Sequence, residues 1–264
     1  MPTAEIVTIG TELLLGEIVD TNSAFLARGL REVGLDLYRM TTVGDNPQRI
    51  AQAVREALAR ADVVITTGGL GPTVDDPTRR AIAQAVGRPL VFSPQAWRMV
   101  QERYAARECP VGDNARQQAY VPQGARLIPN PVGTAPGFIV ETEQGTVITL
   151  PGVPREMEAM FTQTVRPYLR QRFPQSGVLR VRHLVVEGVP EAEIDARVRD
   201  LEAQANPTLG LMAKPGRVTL RLTAKAPSRQ QAEALLDRLE AQVRQRLDPA
   251  WPVERRDAPA EAEP

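Results

Sequence analysis

Apolar runs alternate with amphipathic stretches along the first part of the chain. Residues 5–9 and 61–67 form short, mostly apolar runs bounded by glycine and polar residues, a pattern typical of buried strands. Helical spacing of the apolar residues predicts helices over 20–34 and 45–58, with a strand over 35–43 between them. Strands that alternate with helices in this way build a mainly parallel sheet covered on both faces. We therefore predict a three-layer α/β domain.

The same alternation continues to residue 172 and then changes. Further predicted helices cover 78–86, 94–107, 114–120 and 154–172, and further predicted strands cover 126–129, 137–142 and 146–150. After a break with proline and glycine at 173–177, the order becomes strand, helix, strand, strand, helix. We predict a first domain over 1–172 and a small α+β domain (βαββα) over 178–248. Residues 249–264 are predicted to be a flexible tail, because the last eight hold only Asp, Ala, Glu and Pro.

Composition narrows the possible chemistry. The chain has 32 Lys or Arg and 32 Asp or Glu residues, so no excess charge calls for a polyanionic partner. The single cysteine excludes a disulfide framework and a cysteine-rich zinc site. One histidine excludes an HExxH site, and both lysines lie beyond residue 213, which excludes a Walker A loop in the first domain. With no signal peptide and no apolar run near the ~18 residues of a membrane span, we expect a cytoplasmic protein without membrane association.

The glycine-rich loop over 66–78 is the strongest candidate for chemistry. Its three glycines follow a buried strand, so the backbone there can approach a ligand and turn amide groups toward phosphate oxygens. The next helix begins at Thr78, and the positive end of a helix favours anions. Asp75 and Asp76 would repel a phosphate but would suit Mg²⁺ or a similar cation bridging to it, or ribose or pterin groups. The alternative interpretation is a tight turn with an Asp helix cap.

Three further turn-rich stretches lie between predicted elements, at 10–22, 130–137 and 150–157. In the first stretch, Glu12 follows a Gly-Thr turn with no helix signal to explain it, whereas Asp20 is more simply explained as a helix cap. The other two are explained either as plain connections or, at 150–157, as an amide cluster that favours anions. Ligands in open α/β sheets bind at the carboxyl ends of strands, which is where the first stretch and the glycine-rich loop fall.

Taken together, four segments resemble the MoaB/Mog family of molybdenum-cofactor-binding domains. They read GTELLLGEIVDTNS at 10–23, TTGGLGPTVDDPT at 66–78, NPVGTAPGF at 130–138 and LPGVPREM at 150–157. Their order and spacing resemble, more specifically, the N-terminal domain of the CinA family over residues 4–172. The βαββα remainder is similar to the KH-like domain that follows in CinA proteins.

The CinA resemblance implies a metal-dependent pyrophosphatase that acts on ADP-ribose or related nucleotide diphosphate compounds. It implies catalytic and metal-binding roles for Asp76, Asp75 and Glu12, with Mg²⁺, Mn²⁺ or Co²⁺ as the metal and without haem, flavin or zinc. The residues implied in binding the substrate and its phosphates are Gly10, Thr11, Asp20, Asn22, Thr67, Gly68, Gly69, Gly71, Thr78, Asn130, Gly133, Thr134, Ala135, Pro151, Gly152 and Pro154. The resemblance also implies a homodimer.

Two alternatives stay open at this point. The same loops fit a module that binds molybdopterin or transfers an adenylyl group in molybdenum-cofactor biosynthesis, and only the KH-like domain favours CinA. The second alternative is a non-enzymatic competence or nucleic-acid-associated factor, since Arg180, Arg182, Arg217 and Arg221 alternate along two predicted strands. That alternation is more typical of a solvated sheet surface, and the second domain lacks a Gly-x-x-Gly loop, which argues against nucleic-acid binding.

Three further predictions concern features outside the four loops. His183 lies inside a predicted strand, and we interpret it as a hydrogen-bonded surface or interface residue. Cys109 has no partner of its kind and is predicted to be an incidental thiol. Many CinA proteins continue into an amidohydrolase that deamidates nicotinamide mononucleotide, whereas this sequence stops at Pro264 without it, so we do not assign deamidation.

Overall fold

The computed structural model describes residues 2–73, 76–174 and 177–256. These residues form two compact units that divide near Pro174, and the short stretch Arg31–Gly34 groups with the second unit. The strands are β1 (Thr3–Ile9), β2 (Asp36–Val43), β3 (Val63–Thr67), β4 (Leu90–Phe92), β5 (Tyr120–Pro122), β6 (Arg126–Ile128), β7 (Gly137–Glu141), β8 (Thr146–Leu150), β9 (Val178–Glu187), β10 (Thr208–Lys214), β11 (Arg217–Ala226) and β12 (Val253–Arg256). The α-helices are α1 (Thr11–Leu14), α2 (Thr21–Val33), α3 (Pro47–Leu58), α4 (Thr78–Ala85), α5 (Pro94–Ala105), α6 (Pro154–Met160), α7 (Arg166–Arg172), α8 (Glu191–Glu202) and α9 (Arg229–Arg246), with a 3-10 helix at Asp113–Ala119 and a π-helical stretch at Phe161–Val165.

A six-stranded sheet forms the centre of the first unit, in the order β2-β1-β3-β8-β7-β6. Strands β2, β1, β3 and β8 run parallel, and β7 and β6 add antiparallel pairs at one edge. Every residue of β3 and β8 is buried. Burial on both faces explains why these strands have no alternation of apolar and polar residues. The predicted α/β fold with a mainly parallel sheet is confirmed.

Helices α3 and α4 cover one face of this sheet. Helix α3 begins where the Asn46 side chain accepts a hydrogen bond from the Arg49 amide at 3.0 Å. Its apolar side packs in one cluster with residues of α4 and with alternate residues of the central strands, among them Val7 and Val64. The neighbouring Ile6 points to the opposite face and is also fully buried. The sheet is therefore covered on both sides, as the sequence pattern predicts.

The last helical segment of the first unit runs without a break from Pro154 to Arg172, through α6, the π-helical stretch and α7. Its Phe161 packs edge-on against Phe25 of α2, with ring centroids 5.9 Å apart. Gly29 makes room for that ring, since a Cβ at Gly29 would lie 2.2 Å from it. In the part of the chain that the structure describes, no helix combines the length and apolar content needed to cross a membrane.

Three local features of the first unit differ from the sequence predictions. Thr11–Leu14 form one helical turn, and Glu12 lies within it, whereas the sequence predicts a plain turn. Asp113–Ala119 form a 3-10 helix instead of the predicted α-helix over 114–120. Strands β4 and β5 pair with each other in a separate two-stranded sheet. Three residues per strand are too few to show a period, which is why no pattern predicts this sheet.

The second unit is a four-stranded antiparallel sheet in the order β10-β11-β9-β12, packed with α8 and α9. Leu184, Leu220 and Leu236 lie in its single described core cluster. The predicted α+β fold is confirmed. The predicted flexible tail over 249–264 is wrong for Val253–Arg256, which pair with β9 because Val253 packs against the core. The last eight residues of that tail lie outside the described part of the chain.

Two residues of β9 also differ from the predictions. Arg182, predicted on a solvated face, is 3% exposed and donates hydrogen bonds of 2.8 to 3.0 Å to Glu233, Asp237 and Glu240 of α9. Strand alternation places Arg182 on the face that α9 covers, where acidic residues match its charge. His183 is 4% exposed, so the surface part of its prediction is wrong, and its Nδ1 has no hydrogen-bond partner among the described residues. That it lies at an interface stays a prediction. Burial lowers the pKa of this imidazole.

Candidate functional site

The carboxyl ends of the parallel strands meet at one rim of the six-stranded sheet. Just after β3, the Gly68 amide donates to Leu150 O at 3.1 Å, and just after β1, the Gly10 amide donates to Val43 O at 3.0 Å. Gly68 has a φ of +116°, and a Cβ there would lie 2.0 Å from the carbonyl oxygen of Ile9. Only glycine therefore lets β1 and β3 end this close together.

Asn22 joins three of the four predicted loops. Its Nδ2 donates to Thr67 Oγ1 at 3.0 Å and to Gly152 O at 2.8 Å. The Thr67 hydroxyl donates to Pro151 O at 2.8 Å, so its oxygen can only accept from Asn22. The orientation of the Asn22 amide is thereby fixed, and its buried Oδ1 has no hydrogen-bond partner among the described residues.

A small pocket of about 80 Å³ lies beside Asn22. The predicted site residues that line it are Glu12, Asp20, Asn22, Thr67, Gly152 and Pro154. Asp20 also caps α2, since its carboxylate accepts hydrogen bonds from the Ser23 amide at 2.9 Å and the Ser23 hydroxyl at 2.6 Å. The structure thus brings these six predicted residues together in one place.

Asp76 holds the glycine-rich loop in shape. Its Oδ1 accepts from the Gly71 amide at 2.7 Å, and its Oδ2 accepts from the Thr73 amide at 2.9 Å and the Thr73 hydroxyl at 2.6 Å. Thr78 adds a second tie by donating from Oγ1 to Gly68 O at 2.9 Å. All three partners of Asp76 are neutral, so they orient the carboxylate without neutralising it. The other predicted carboxylate of this loop, Asp75, lies outside the described residues.

Arg79, in the first turn of α4, belongs to the same assembly and was missed by the sequence analysis. The residue is 4% exposed, and its Nη2 donates to Leu70 O at 2.7 Å. Burial lowers the pKa of Arg79 to about 10, against the opposing effect of Asp76. A guanidinium with a pKa of about 10 is still protonated at neutral pH, so a buried positive charge lies beside the glycine-rich loop.

An open cleft of about 510 Å³ lies next to this loop. Its charged lining residues are Asp45, Asp76, Arg79 and Arg80, and the others are Pro47, Pro77, Leu90, Gln117 and Tyr120. Two carboxylates and two guanidinium groups therefore border one cavity together with apolar and aromatic side chains.

Asp45 is the second lining residue that the sequence analysis missed. Asp and Asn side chains both cap helices, so the sequence alone predicts that Asp45 and Asn46 together cap the start of α3. In the structure Asn46 caps the helix. Asp45 Oδ2 instead accepts hydrogen bonds from the Thr11 amide at 2.8 Å and the Thr11 hydroxyl at 2.7 Å. Its position directly beyond the carboxyl end of β2 is the sequence signal that points to this rim.

The structure does not bring Glu12 and Asp76 into one cavity. Asp76 lines the larger cleft, and Glu12 lines the small pocket beside Asn22. The Glu12 carboxylate folds back over Gly10, where a Cβ would lie 2.5 Å from Oε1. Within residues 2–73, 76–174 and 177–256, no three Asp, Glu, His or Cys side chains lie close enough together to hold a metal ion.

The polar atoms of the third predicted loop are bonded within the loop and to neighbouring segments, including Glu156 of the fourth loop and Gln118. Asn130 Oδ1 accepts from the Gly133 amide at 2.6 Å, and its Nδ2 donates to Ala135 O at 3.0 Å and Glu156 Oε2 at 2.7 Å. A Cβ on Gly133 would lie 1.9 Å from Glu156 Oε2, so a larger residue there would displace the end of the Glu156 side chain. Asn130, Gly133, Thr134 and Ala135 line neither the cleft nor the small pocket. They shape a loop next to the rim.

Comparison with known families matches both units. Residues 5–171 match a family model described as "Probable molybdopterin binding domain". This match places the first unit, with its mainly parallel sheet, in the family of probable molybdopterin-binding domains. Residues 181–250 match the model described as "Damage-inducible protein CinA KH domain". The chain belongs to the CinA family, which confirms the resemblance found in the sequence.

Individual relatives agree with this assignment. A CinA-like protein of Parasynechococcus marenigrum is 46% identical over 243 residues, which cover 92% of this chain and 58% of that protein. A CinA-like protein of Dictyoglomus thermophilum is 43% identical over 244 residues, with coverage of 92% and 59%. The crystal structure of CinA from Thermoplasma acidophilum is 38% identical and superposes with a TM-score of 0.59, covering 62% of this chain and 98% of that one. The matched region thus spans about 59% of the length of the curated relatives.

Proposed function

We propose that this chain hydrolyses the diphosphate bond of ADP-ribose or a related nucleotide diphosphate compound, with a divalent metal ion as cofactor. The observation that carries the proposal is the mixed charge of the 510 Å³ cleft, where Asp45 and Asp76 lie with Arg79 and Arg80. Hydrolysis of a diphosphate calls for cationic groups that bind its oxygens and carboxylates that hold a metal ion and orient water. The resemblance to CinA proteins supports the same substrate class.

In this proposal the backbone of the glycine-rich loop binds a phosphate group. Gly69 and Leu70 have amides that donate no hydrogen bond to other described residues. Gly69 is partly exposed, so its amide can reach an anion, whereas Leu70 is buried. They precede α4, whose positive end favours negative charge. Arg80 lines the cleft and adds a second cation to the buried Arg79. These groups would fix the diphosphate beside Asp76.

The carboxylates fit a metal ion that binds together with its substrate. Asp76 accepts three hydrogen bonds, and a carboxylate can accept about four, so one position on Oδ1 stays available. Mg²⁺ commonly uses one or two carboxylates and takes its remaining ligands from phosphates and water. Asp76 and Asp45 would hold such an ion. When bound, the metal would polarise a phosphoryl oxygen and lower the pKa of a water molecule.

The test is hydrolysis of ADP-ribose with Mg²⁺, Mn²⁺ or Co²⁺, followed as released AMP. We expect Asp76→Asn to lower kcat by about 100-fold or more, because it removes the charge and keeps the side-chain size. Asp113→Asn is the matched control, since Asp113 is exposed and does not line the cleft. Thermal unfolding monitors the fold of both variants. Equal rates for the parent protein and Asp76→Asn, with any of the three metals, would show that the cleft is not the catalytic site.

A second candidate function is binding or adenylylation of molybdopterin. The match of residues 5–171 to a model named for molybdopterin binding favours it. If this candidate is right, protein purified from cells should release a pterin that becomes fluorescent on oxidation, and ADP-ribose should not be hydrolysed. Protein that carries no pterin and cleaves ADP-ribose would leave the hydrolase as the function.

A further inference from the structure

The cleft beside Asp76 has two chemically different walls. One wall carries the charges of Asp45, Asp76, Arg79 and Arg80. The other wall comes from the small sheet of β4 and β5 and contributes Leu90 and Tyr120. A ligand with a phosphate at one end and a flat apolar ring at the other would match this division of polarity.

Tyr120 is the exposed aromatic residue of this wall. It is 38% exposed and lines the cleft. Phe92 lies opposite it in the β4–β5 register, and the two rings meet edge to face with centroids 5.6 Å apart. The Arg116 guanidinium lies 5.0 Å from the Phe92 ring centroid. The Tyr120 ring therefore packs against Phe92 and also borders the cleft.

Two hydrogen bonds connect this wall to the charged one. Gln117, in the 3-10 helix that leads into β5, donates from Nε2 to Thr73 O at 2.9 Å. The Thr73 hydroxyl in turn donates to Asp76 Oδ2 at 2.6 Å. Tyr120 and Asp76 line the same cleft, so a ligand whose ring contacts Tyr120 would have Asp76 in the same cavity.

We propose that Tyr120 is the stacking platform for the planar ring of a phosphorylated ligand, either a purine base or a pterin. The inference rests on the proposed function in taking the ligand of the cleft to be a phosphorylated ring compound. Aromatic side chains that border a charged groove bind bases through their faces, because every base and every pterin has a π-face. Tyr120 acts here as a specificity-determining residue and takes no part in the chemical step.

The test measures binding by calorimetry of three probes: AMP, neopterin monophosphate and ribose 5-phosphate. We expect Tyr120→Ala to weaken the binding of the matching ring compound by about 5- to 150-fold and to leave ribose 5-phosphate unchanged. Tyr120→Phe keeps the ring and should bind within about two-fold of the parent protein, because stacking does not need the hydroxyl. Tyr38→Ala is the matched control, since Tyr38 is 76% exposed on β2 and lines no part of the cleft.

Tyr120→Ala should weaken the binding of either AMP or neopterin monophosphate more than the other. The compound that loses more affinity carries the ring that stacks on Tyr120. The proposal is overturned if Tyr120→Ala binds both ring compounds like the parent protein. It is also overturned if ribose 5-phosphate weakens equally, which would indicate a structural role, or if the parent protein binds neither ring compound.

Kinetics separate this inference from the proposed function. If ADP-ribose is hydrolysed and its KM does not change in Tyr120→Ala, the stacking role fails and the hydrolase stands. If ADP-ribose is not hydrolysed but ring binding depends on Tyr120, the hydrolase fails and the stacking role stands. If both hold, Tyr120→Ala raises KM and leaves kcat near the parental value.

Discussion

Asp76 in the first unit and Arg182 in the second are each held by three hydrogen bonds, but the partners of Asp76 are neutral and those of Arg182 are charged. Asp76 accepts from two amides and one hydroxyl, which are all neutral, and it lines an open cleft. Arg182 donates to three carboxylates and is almost completely buried. A charge oriented by neutral dipoles stays available to a ligand, whereas a charge surrounded by opposite charges serves the fold. Ion pairs within the second unit are thus a poor guide to function, and the neutral cradle of Asp76 is a better one.

The largest expected effect on stability comes from removing the charge of Arg182. Arg182→Met should lower the free energy of unfolding of the second unit by about 3 kcal/mol, because Glu240 and its acidic neighbours lose a shared buried partner. Urea unfolding followed by circular dichroism measures this loss. Arg199→Met is the control, since Arg199 pairs with Asp195 on the surface and its loss should leave the unfolding midpoint unchanged. Equal midpoints for the two variants would contradict the structural role of Arg182.

A smaller effect is expected where the rim depends on backbone shape. Gly68→Ala places a methyl group 2.0 Å from Ile9 O at a φ of +116°, and it should lower stability by about 2–3 kcal/mol. Gly16 has a φ of +71° and nothing within 4 Å of a Cβ, so Gly16→Ala should cost only the left-handed backbone penalty of about 1 kcal/mol. Thermal unfolding compares the two variants. A Gly68→Ala protein as stable as Gly16→Ala would show that the strand ends are looser than the contact implies.

The smallest effect is expected from acid, through the carboxylates of the second unit that pair with arginine. Burial acts to raise the pKa of Glu240, but hydrogen bonds from Arg244 and Arg182 outweigh it and hold that pKa below its ordinary value of 4.5. Glu233 is shifted in the same direction by Arg180 and Arg182, again against the effect of burial. Since the pKa values of Glu233 and Glu240 are lower in the folded state, their ionised forms stabilise the folded second unit. This contribution is complete above about pH 4.5 and is lost as the pH falls through the lowered pKa values.

Unfolding midpoints measured across that range should therefore fall with pH in the parent protein. In Arg182→Met the fall should be shallower, because one of the groups that depresses both pKa values is gone. If the unfolding midpoints of the two proteins fell equally with pH, Arg182 would not be a cause of the lowered pKa values of Glu233 and Glu240.

Much of the fold could be predicted from the sequence because its signals are local and periodic. Buried runs such as β3, the amphipathic helix α3 and the glycine-rich loop each carry their information within a few residues. The same holds for the order of the two units. The sheet of β4 and β5 carried no such signal, since its strands are short and their partners are distant in sequence. Strand β12 was missed because Val253 is its only clear apolar anchor.

The candidate site was less accessible to sequence reasoning, for a physical reason. Asp45 is indistinguishable from a helix cap until Thr11 is seen to bind it. Arg79 resembles an exposed helical residue until its guanidinium is found buried against the Leu70 carbonyl. Glu12 and Asp76 look equivalent as loop carboxylates, and only the folded chain assigns them to different cavities. Which polar groups share a cavity is a tertiary property, so the roles of these residues stay predictions until the variants are measured.

The separate sheet of β4 and β5 has a consequence for how this fold can diversify. Among the residues that the structure describes, these two strands pair only with each other, so they share no register with the six-stranded sheet. Insertions or substitutions in β4 and β5 would change the side chains on one wall of the cleft, whereas the glycine-rich loop follows a strand of the other sheet. Exchanging the segment that carries these two strands between relatives is therefore a route to altered ligand selectivity on the same six-stranded sheet.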